Sequence, residues 1–246
     1  MVIYRNLGKT GMSVSALGLG TVKLGRNERL RFGTFDIPSD RRATALLACA
    51  QSLGINMLDT APSYGTIEAR LQSLLPGRRE DWIISTKVGE TFHHGTSVYD
   101  FSAHAVRTSV MRSIERLGYL DIVLVHSNGE RTAMGALAEL HELKAQGLVR
   151  AIGMSNKGPA EGLTALSECD VVMPSLNCAY RDEIELIATA QRLGCGVLVK
   201  KPLNSGQMPP GESLRFALNQ PGVSSVIVGT INARHLEGNV EAITPT

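Results

Sequence analysis

The chain has 246 residues, of which 43% are hydrophobic and 20% charged, a balance that excludes a disordered polypeptide and allows a sizeable core. A formal charge of +2, carried by dispersed residues, gives no reason to expect nucleic acid or an anionic membrane as partner. No apolar run is long enough to span a bilayer and no basic leader precedes an apolar core, so a cytoplasmic protein is expected. Cys49, Cys169, Cys178 and Cys195 lack close metal-type spacing and read as reduced thiols.

In chain order, the opening segment carries turn signals at Gly8 and Gly11 and predicts a short β-hairpin. The apolar, β-branched runs that follow are VSALGLG (14–20), INMLD (55–59), WIISTKV (82–88), LDIVLVH (120–126), LVRAIGMS (148–155), VVMPSLN (171–177), GVLVKK (196–201) and SSVIVGT (224–230). Helical spacing of apolar positions appears between them, from Asp40 to Leu53, Ile67 to Leu75, Ser102 to Leu117, Met134 to Gln146, Pro159 to Ser167, Glu183 to Leu193, Ser213 to Asn219 and Asn232 to Ile243. Ser39 and Ser102 are suited to start helices, and Gly54, Gly118, Gly147 and Gly194 to end them. Strand then helix, eight times over, predicts an α/β fold in which parallel strands close into a single (β/α)8 TIM barrel spanning residues 1–246, with the hairpin plugging its bottom. An open doubly wound sheet fits less well, because GLGTVKLG has Gly18 and Gly20 but no third glycine in place.

In such a barrel, polar groups at the C-terminal strand ends face the functional side. Strand two ends at Asp59, with Tyr64 on the next loop; strand three ends at Lys87, strand four at His126, strand five at Ser155 and Asn156, and strand six at Asn177. Taken singly, Asp59 could cap a turn, Lys87 could be solvated and His126 could be a core histidine. Their convergence points instead to proton transfer. A lysine held by a carboxylate could lower the pKa of a tyrosine, and histidine could orient a carbonyl or share the proton. Other histidines offer less. His93 and His94, in the insert ETFHHGTSVYDF, have no ligand pattern around them and predict a flexible loop, and HELKA has Ala145 where a zinc protease needs a second histidine. No metal is expected.

The sequence resembles the aldo-keto reductase family over nearly its whole length, in YRNLGKTGMSVSALGLGT, LDTAPSYG, STKVG, LVHS, GLVRAIGMSN, GVSSVIVGT and HLEGNV. The resemblance implies a catalytic tetrad of Asp59, Tyr64, Lys87 and His126, and a nicotinamide cofactor lying across the top of the barrel. Hydride would pass to a substrate carbonyl carbon while Tyr64 protonates its oxygen. Gly20 and Thr21 fall among the implied cofactor residues. Ser155 and Asn156 would hold the carboxamide, with Asn177 where the family usually has glutamine. Thr230 and Asn232 stand at a helix start suited to the cofactor phosphate, Arg234 or His235 would meet a 2′-phosphate, and Asn239 would meet adenine.

The chain departs from the family pattern at several points. The arginine expected near His235 is displaced, Gly238 replaces a glutamate, and Lys200 and Lys201 replace an aromatic and a serine. Lys200 reads either as a contact to pyrophosphate or an acidic substrate, or as a solvated lysine at the rim. NADP is expected ahead of NAD. The short connection from Pro202 to Ser213 and the end of the chain at Thr246 imply an open pocket, shaped by Val22, the neighbours of Trp82 and the insert. The expected function is NAD(P)H-dependent reduction of small aldehydes or ketones by a monomer or small homo-oligomer. Alternatives are an alcohol or sugar dehydrogenase and a nicotinamide-binding sensor.

Overall fold

A computed structural model describes residues 1–30 and 34–244; Thr246 lies outside them. Strands β1 (Tyr4–Asn6) and β2 (Ser13–Ser15) form the antiparallel N-terminal hairpin. Strand β3 (Leu17–Gly20) leads through the single turn α1 (Val22–Gly25) to helix α2 (Asp40–Ser52), and β4 (Met57–Asp59) leads to α3 (Ile67–Leu74). Strand β5 (Ile83–Val88) is followed by an antiparallel pair, β6 (Glu90–His93) and β7 (Thr96–Tyr99), before α4 (Ala103–Leu117). Then come β8 (Leu120–His126) with α5 (Gly135–Ala145), β9 (Val149–Ser155) with α6 (Pro159–Ala165), and β10 (Val171–Val172) with α7 (Ile184–Leu193). Strand β11 (Gly196–Val199) with α8 (Pro210–Leu218) and β12 (Ser225–Val228) with α9 (Ala233–Ile243) complete the chain. Strands β3, β4, β5, β8, β9, β10, β11 and β12 pair in that order, parallel throughout, and β12 closes on β3.

The eight-stranded parallel barrel with its hairpin is the expected fold. Both faces of its strands are buried, which is why their sequences read as continuous apolar runs. Val123, Val125, Ile152, Met154, Val197 and Val199 pack outward against the helices, while Met57, Ile122, Leu124, Ala151, Val171, Leu198 and Ile227 fill the barrel. Leu7, Met12 and Val14 of the hairpin segment join the interior group and close the bottom. Contact there is close enough to need glycine: Gly8 has φ +52°, and a Cβ on it would lie 2.4 Å from the backbone N of Gly196.

Four expectations need correction. The run Val14–Gly20 is two strands, because the chain bends at Ala16 from the hairpin into the barrel. The insert after β5 is an ordered hairpin, since His94 and Gly95 both take positive φ, 48° and 75°, as a two-residue turn between antiparallel strands requires. Trp82 lies just before β5, at the end of the barrel away from its C-terminal mouth, and its indole donates to the Pro76 carbonyl at 3.1 Å. Helix α8 also starts earlier than expected, at Pro210, a residue suited to a first turn that has no use for its N–H.

Barrel closure sets one tight constraint between β9 and β10, where a Cβ on Gly153 would come within 1.7 Å of the Val171 carbonyl oxygen. Gly153→Ala should therefore destabilise the fold by at least ~2 kcal/mol, read as a lower urea midpoint at unchanged slope.

Candidate active site

Alternate side chains of a strand point to opposite faces, so the interior packing of a strand fixes the direction of its last residue. On β8, Ile122 and Leu124 are interior, and the same parity turns His126 into the barrel mouth. Asp59 follows Met57 on β4 in this way, Lys87 follows Ser85 on β5, Ser155 follows Gly153 on β9, and Lys200 follows Leu198 past the end of β11. Register then sets neighbours: Asp59 lies opposite Gly20 and Ser85, Lys87 opposite Leu124, His126 opposite Ser155, and Lys200 opposite Ser175. Asp59, Tyr64, Lys87, His126, Ser155 and Lys200 all line one cleft of about 360 Å³ at the C-terminal end of the barrel.

Lys87 is the deepest charge. Its ammonium, 2% exposed, donates to Asp59 Oδ1 at 2.6 Å and to the Thr60 carbonyl at 2.9 Å. Burial opposes its charge, but Asp59 and the Tyr64 oxygen favour it and hold its pKa above the usual lysine value. The Tyr64 hydroxyl is 3.5 Å from Asp59 Oδ2, and the ammonium lies 4.8 Å from the centre of the Tyr64 ring. Lys87 lowers the phenol pKa as expected, but it does not set the net shift. Burial dominates over Lys87, Asp59 and Glu90 add to it, and the pKa is pushed up to about 12. Tyr64 is thus held as a neutral hydroxyl, able to give a proton.

Glu90, missing from the expected set, is the partner of His126. Its Oε2 lies 2.6 Å from His126 Nδ1 and accepts from Ser63 Oγ at 3.0 Å, while Oε1 accepts from Ser97 Oγ at 2.6 Å and from the Tyr99 hydroxyl at 3.4 Å. Burial works against the carboxylate, but the bonds from His126, Ser97 and Ser63 outweigh it and lower its pKa to about 2. Burial keeps His126 below its ordinary value, with Glu90 opposing and Lys87 and Lys200 reinforcing the fall. The hairpin that carries Glu90 is legible in ETFH-HG-TSVY, two alternating four-residue runs about a two-residue turn, but its pairing with His126 is not.

The residues expected around a cofactor are spread unevenly. Gly20, Ser155 and Lys200 line the cleft. Lys200 donates to Ser155 Oγ at 2.9 Å and to the Asn156 carbonyl at 2.5 Å; burial lowers its pKa to about 7, with Lys201, Lys157 and Lys87 adding to the fall against Glu183. Asn156 turns its amide to the Gly158 carbonyl and to Glu183. Asn177 is committed to its own turn, accepting from the N–H groups of Ala179 (3.0 Å) and Tyr180 (2.9 Å) and donating to the Lys201 carbonyl (3.0 Å). Thr21 donates to the Asp59 carbonyl at 3.0 Å and fixes α1 to β4. Thr230 accepts from the Asn232 N–H at 3.1 Å, and Asn232 caps α9 by accepting from the Arg234 N–H at 3.0 Å. Arg234 and His235 are exposed on the first turn of α9, and Asn239 is buried two turns on. Sequence reading also missed Lys23, Arg26 and Lys157, which line the cleft and leave its wall markedly basic.

Among the described residues no group of three or more His, Cys, Asp and Glu could hold a metal ion, and no helix is long and apolar enough to cross a membrane. The model of the Aldo/keto reductase family matches residues 16–213. The chain is 46% identical to an assigned aldo-keto reductase from Pseudomonas aeruginosa, covering 97% of this chain and 93% of that one with a TM-score of 0.89. It is 29% identical to L-galactose dehydrogenase of Arabidopsis thaliana, over 98% of this chain and 88% of the plant protein. It is 30% identical to pyridoxal 4-dehydrogenase of Microbacterium luteolum, over 86% and 74%. The chain belongs to the aldo/keto reductase family.

Two measurements test the charge pairs. Lys87→Met leaves Asp59 buried without its cation and should cost about 3–5 kcal/mol in urea unfolding, while the Asp59→Leu, Lys87→Met double variant should recover most of that. For Glu90 the folded pKa of about 2 lies below the ordinary 4.5, so its stabilisation is complete above the ordinary value and is lost as pH falls through the folded one. The melting-temperature gap between wild type and Glu90→Gln should accordingly be widest at neutral pH and close on acidification.

Proposed function

We propose that this aldo/keto reductase uses a nicotinamide cofactor to reduce the carbonyl group of small aldehydes or ketones, with Tyr64 as the proton donor. Family membership supports oxidoreductase chemistry between carbonyls and alcohols. The observation that carries the reading further is the neutral Tyr64 phenol beside the Lys87–Asp59 ion pair in the cleft.

The residues present fit such a cofactor. Gly20 and Gly229 line the cleft beside Ile227 and Val228, and a Cβ on Gly20 would crowd Ile227 at 3.2 Å, so the backbone is open to a ligand at these two positions. The Ser155 hydroxyl would meet the carboxamide, and Lys200 and Lys201 bring positive charge to the rim. The start of α9, with Thr230 and Asn232, would take a phosphate; Asn239 would face adenine, and Asn156 and Asn177 would support the carboxamide from their turns. Arg234 and His235 favour a 2′-phosphate and hence NADP over NAD.

The bound cofactor supplies the hydride. Tyr64 gives its hydroxyl proton to the substrate oxygen, and the phenolate left behind is stabilised by the Lys87 ammonium, which Asp59 and the Thr60 carbonyl hold in place. His126 fixes the direction of the reacting oxygen from the other side. Its ring stands edge-on to Tyr64, with centres 6.2 Å apart and planes at 83°.

Oxidation of a hydroxyl is the second reading, favoured by the carboxylate on His126, which would support an imidazole that takes a proton. The dehydrogenases among its relatives agree with it.

Fluorescence titration should give tighter binding of NADPH than of NADH, and Arg234→Ala should weaken NADPH alone. With a panel of small aldehydes, Tyr64→Phe should keep cofactor affinity while turnover falls by about 10²–10⁴-fold. Absence of binding by either cofactor would refute the proposal.

A further inference from the structure

His126 presents its two nitrogens to different surroundings. Nδ1 is 2.6 Å from Glu90 Oε2, and Ser63 Oγ, 3.5 Å from the same nitrogen, already points its hydrogen at Glu90 at 3.0 Å. A carboxylate can only accept, so the proton between Glu90 and His126 belongs to Nδ1. Among the described residues no hydrogen bond engages Nε2, and the histidine lines the cleft. The neutral ring therefore turns a lone pair to the cleft from Nε2, while across from it stands the Tyr64 hydroxyl, whose hydrogen points to Asp59 Oδ2 over a long 3.5 Å and is free to rotate toward a ligand oxygen.

We infer that Glu90 is a positioning residue that fixes the Nδ1–H tautomer of His126, so that the cleft at neutral pH pairs one donor, Tyr64, with one acceptor, His126 Nε2, a pattern that matches a hydroxyl with the ring neutral and a carbonyl oxygen once the ring is protonated. A hydroxyl group satisfies both, accepting from Tyr64 and donating to Nε2. A carbonyl oxygen can only accept and meets the Nε2 lone pair; it gains a second donor once His126 is protonated, with Glu90 stabilising the imidazolium. The inference rests on the reading that Tyr64 and His126 face the reacting oxygen. It adds that the hydrogen-bond demand of the site changes with the charge of one imidazole.

The charged and titratable groups around that imidazole come from several elements. Glu90 on β6 bonds it, with Tyr99 on β7 behind. Tyr64 stands after β4, Lys87 on β5 and Lys200 beyond β11, and both lysines oppose protonation of the ring. Among the described residues Glu90 is therefore the one carboxylate bonded to His126. The hairpin that carries it holds its second oxygen through Ser97 and Tyr99, so the carboxylate has little freedom to leave the ring.

The test is nitrogen NMR of the histidine side chains in the cofactor-free protein, with His126 assigned by its loss in His126→Asn. Wild type at pH 8 should show a protonated Nδ1 and an unprotonated Nε2. In Glu90→Ala the ring should shift toward Nε2–H or a mixture, and its pKa should fall by about one unit or more; Glu90→Gln checks the loss of charge with less change in shape, and Glu90→Asp should restore part of the wild-type titration. In kinetics, the KM for an alcohol substrate should rise ~10-fold in Glu90→Ala, with the KM for the cofactor unchanged. An Nε2–H tautomer in wild type, or an unaltered tautomer and titration in all folded Glu90 variants, would overturn the inference. The NMR readout stands whether or not the protein turns over a given carbonyl or alcohol, so failure of the proposed activity is distinguishable from failure of this assignment.

Discussion

Closure of the parallel barrel is the constraint on which the site depends. A closed sheet fixes the facing of every strand, and a slip of one residue would send each inward side chain outward. The apolar interior, from Met57 on β4 to Ile227 on β12, enforces that facing because the opposite phase would place Asp59, Lys87 and His126 against the aliphatic helix layer. Packing at the bottom of the barrel thus aims the polar groups at the top. The hairpin plug has the same consequence, since Leu7, Met12 and Val14 complete the interior from below and leave the C-terminal mouth as the open end.

The polar groups at that mouth are organised as two acid–base couples with different tasks. Asp59 and Lys87 form a nearly dry pair, and its ammonium is the group best placed to stabilise a negative oxygen on Tyr64. Glu90 and His126 form the second, closer to solvent, with 18% of the histidine side chain exposed. Burial of Tyr64 outweighs the neighbouring ammonium and keeps the phenol neutral. The two effects are complementary rather than opposed: burial holds the proton before reaction, and Lys87 offsets the charge after it has left. A lone buried tyrosine would meet only the first condition.

Much of this was legible in the sequence. Eight apolar runs separated by helical periodicity define the barrel, and residues at or next to the end of four of them supply Asp59, Lys87, His126 and Ser155, because an inward polar residue near a strand end interrupts an otherwise apolar pattern. Glu90 was not found that way. It lies beyond the end of β5 on a separate hairpin, and its charge in a polar insert resembles that of any exposed residue; only tertiary contact shows that it is 8% exposed and bonded to His126. Lys23, Arg26 and Lys157 escaped for a similar reason, since single cations in a one-turn helix or a loop carry no periodicity. The effect of Lys87 on Tyr64 is legible in the sequence, but the larger opposing effect of burial is not, because the sequence names the neighbours of the ring and not its depth.

Lys200 joins the departures from the family pattern to the electrostatics of the cleft. Inward parity carries its ammonium to Ser155 Oγ and the Asn156 carbonyl, where it meets Lys157, Lys201 and Lys87 at long range and Glu183 as the main counter-charge. Burial and like charge together bring its pKa to about 7, so its charge responds to any anion that enters. A phosphate or carboxylate nearby favours the ammonium, while a neutral ligand does not. The same lysine opposes protonation of His126. Whatever neutralises Lys200 therefore makes His126 easier to protonate, and the double-lysine segment at the end of β11 is electrostatically linked to the hydrogen-bonding state of the imidazole across the cleft.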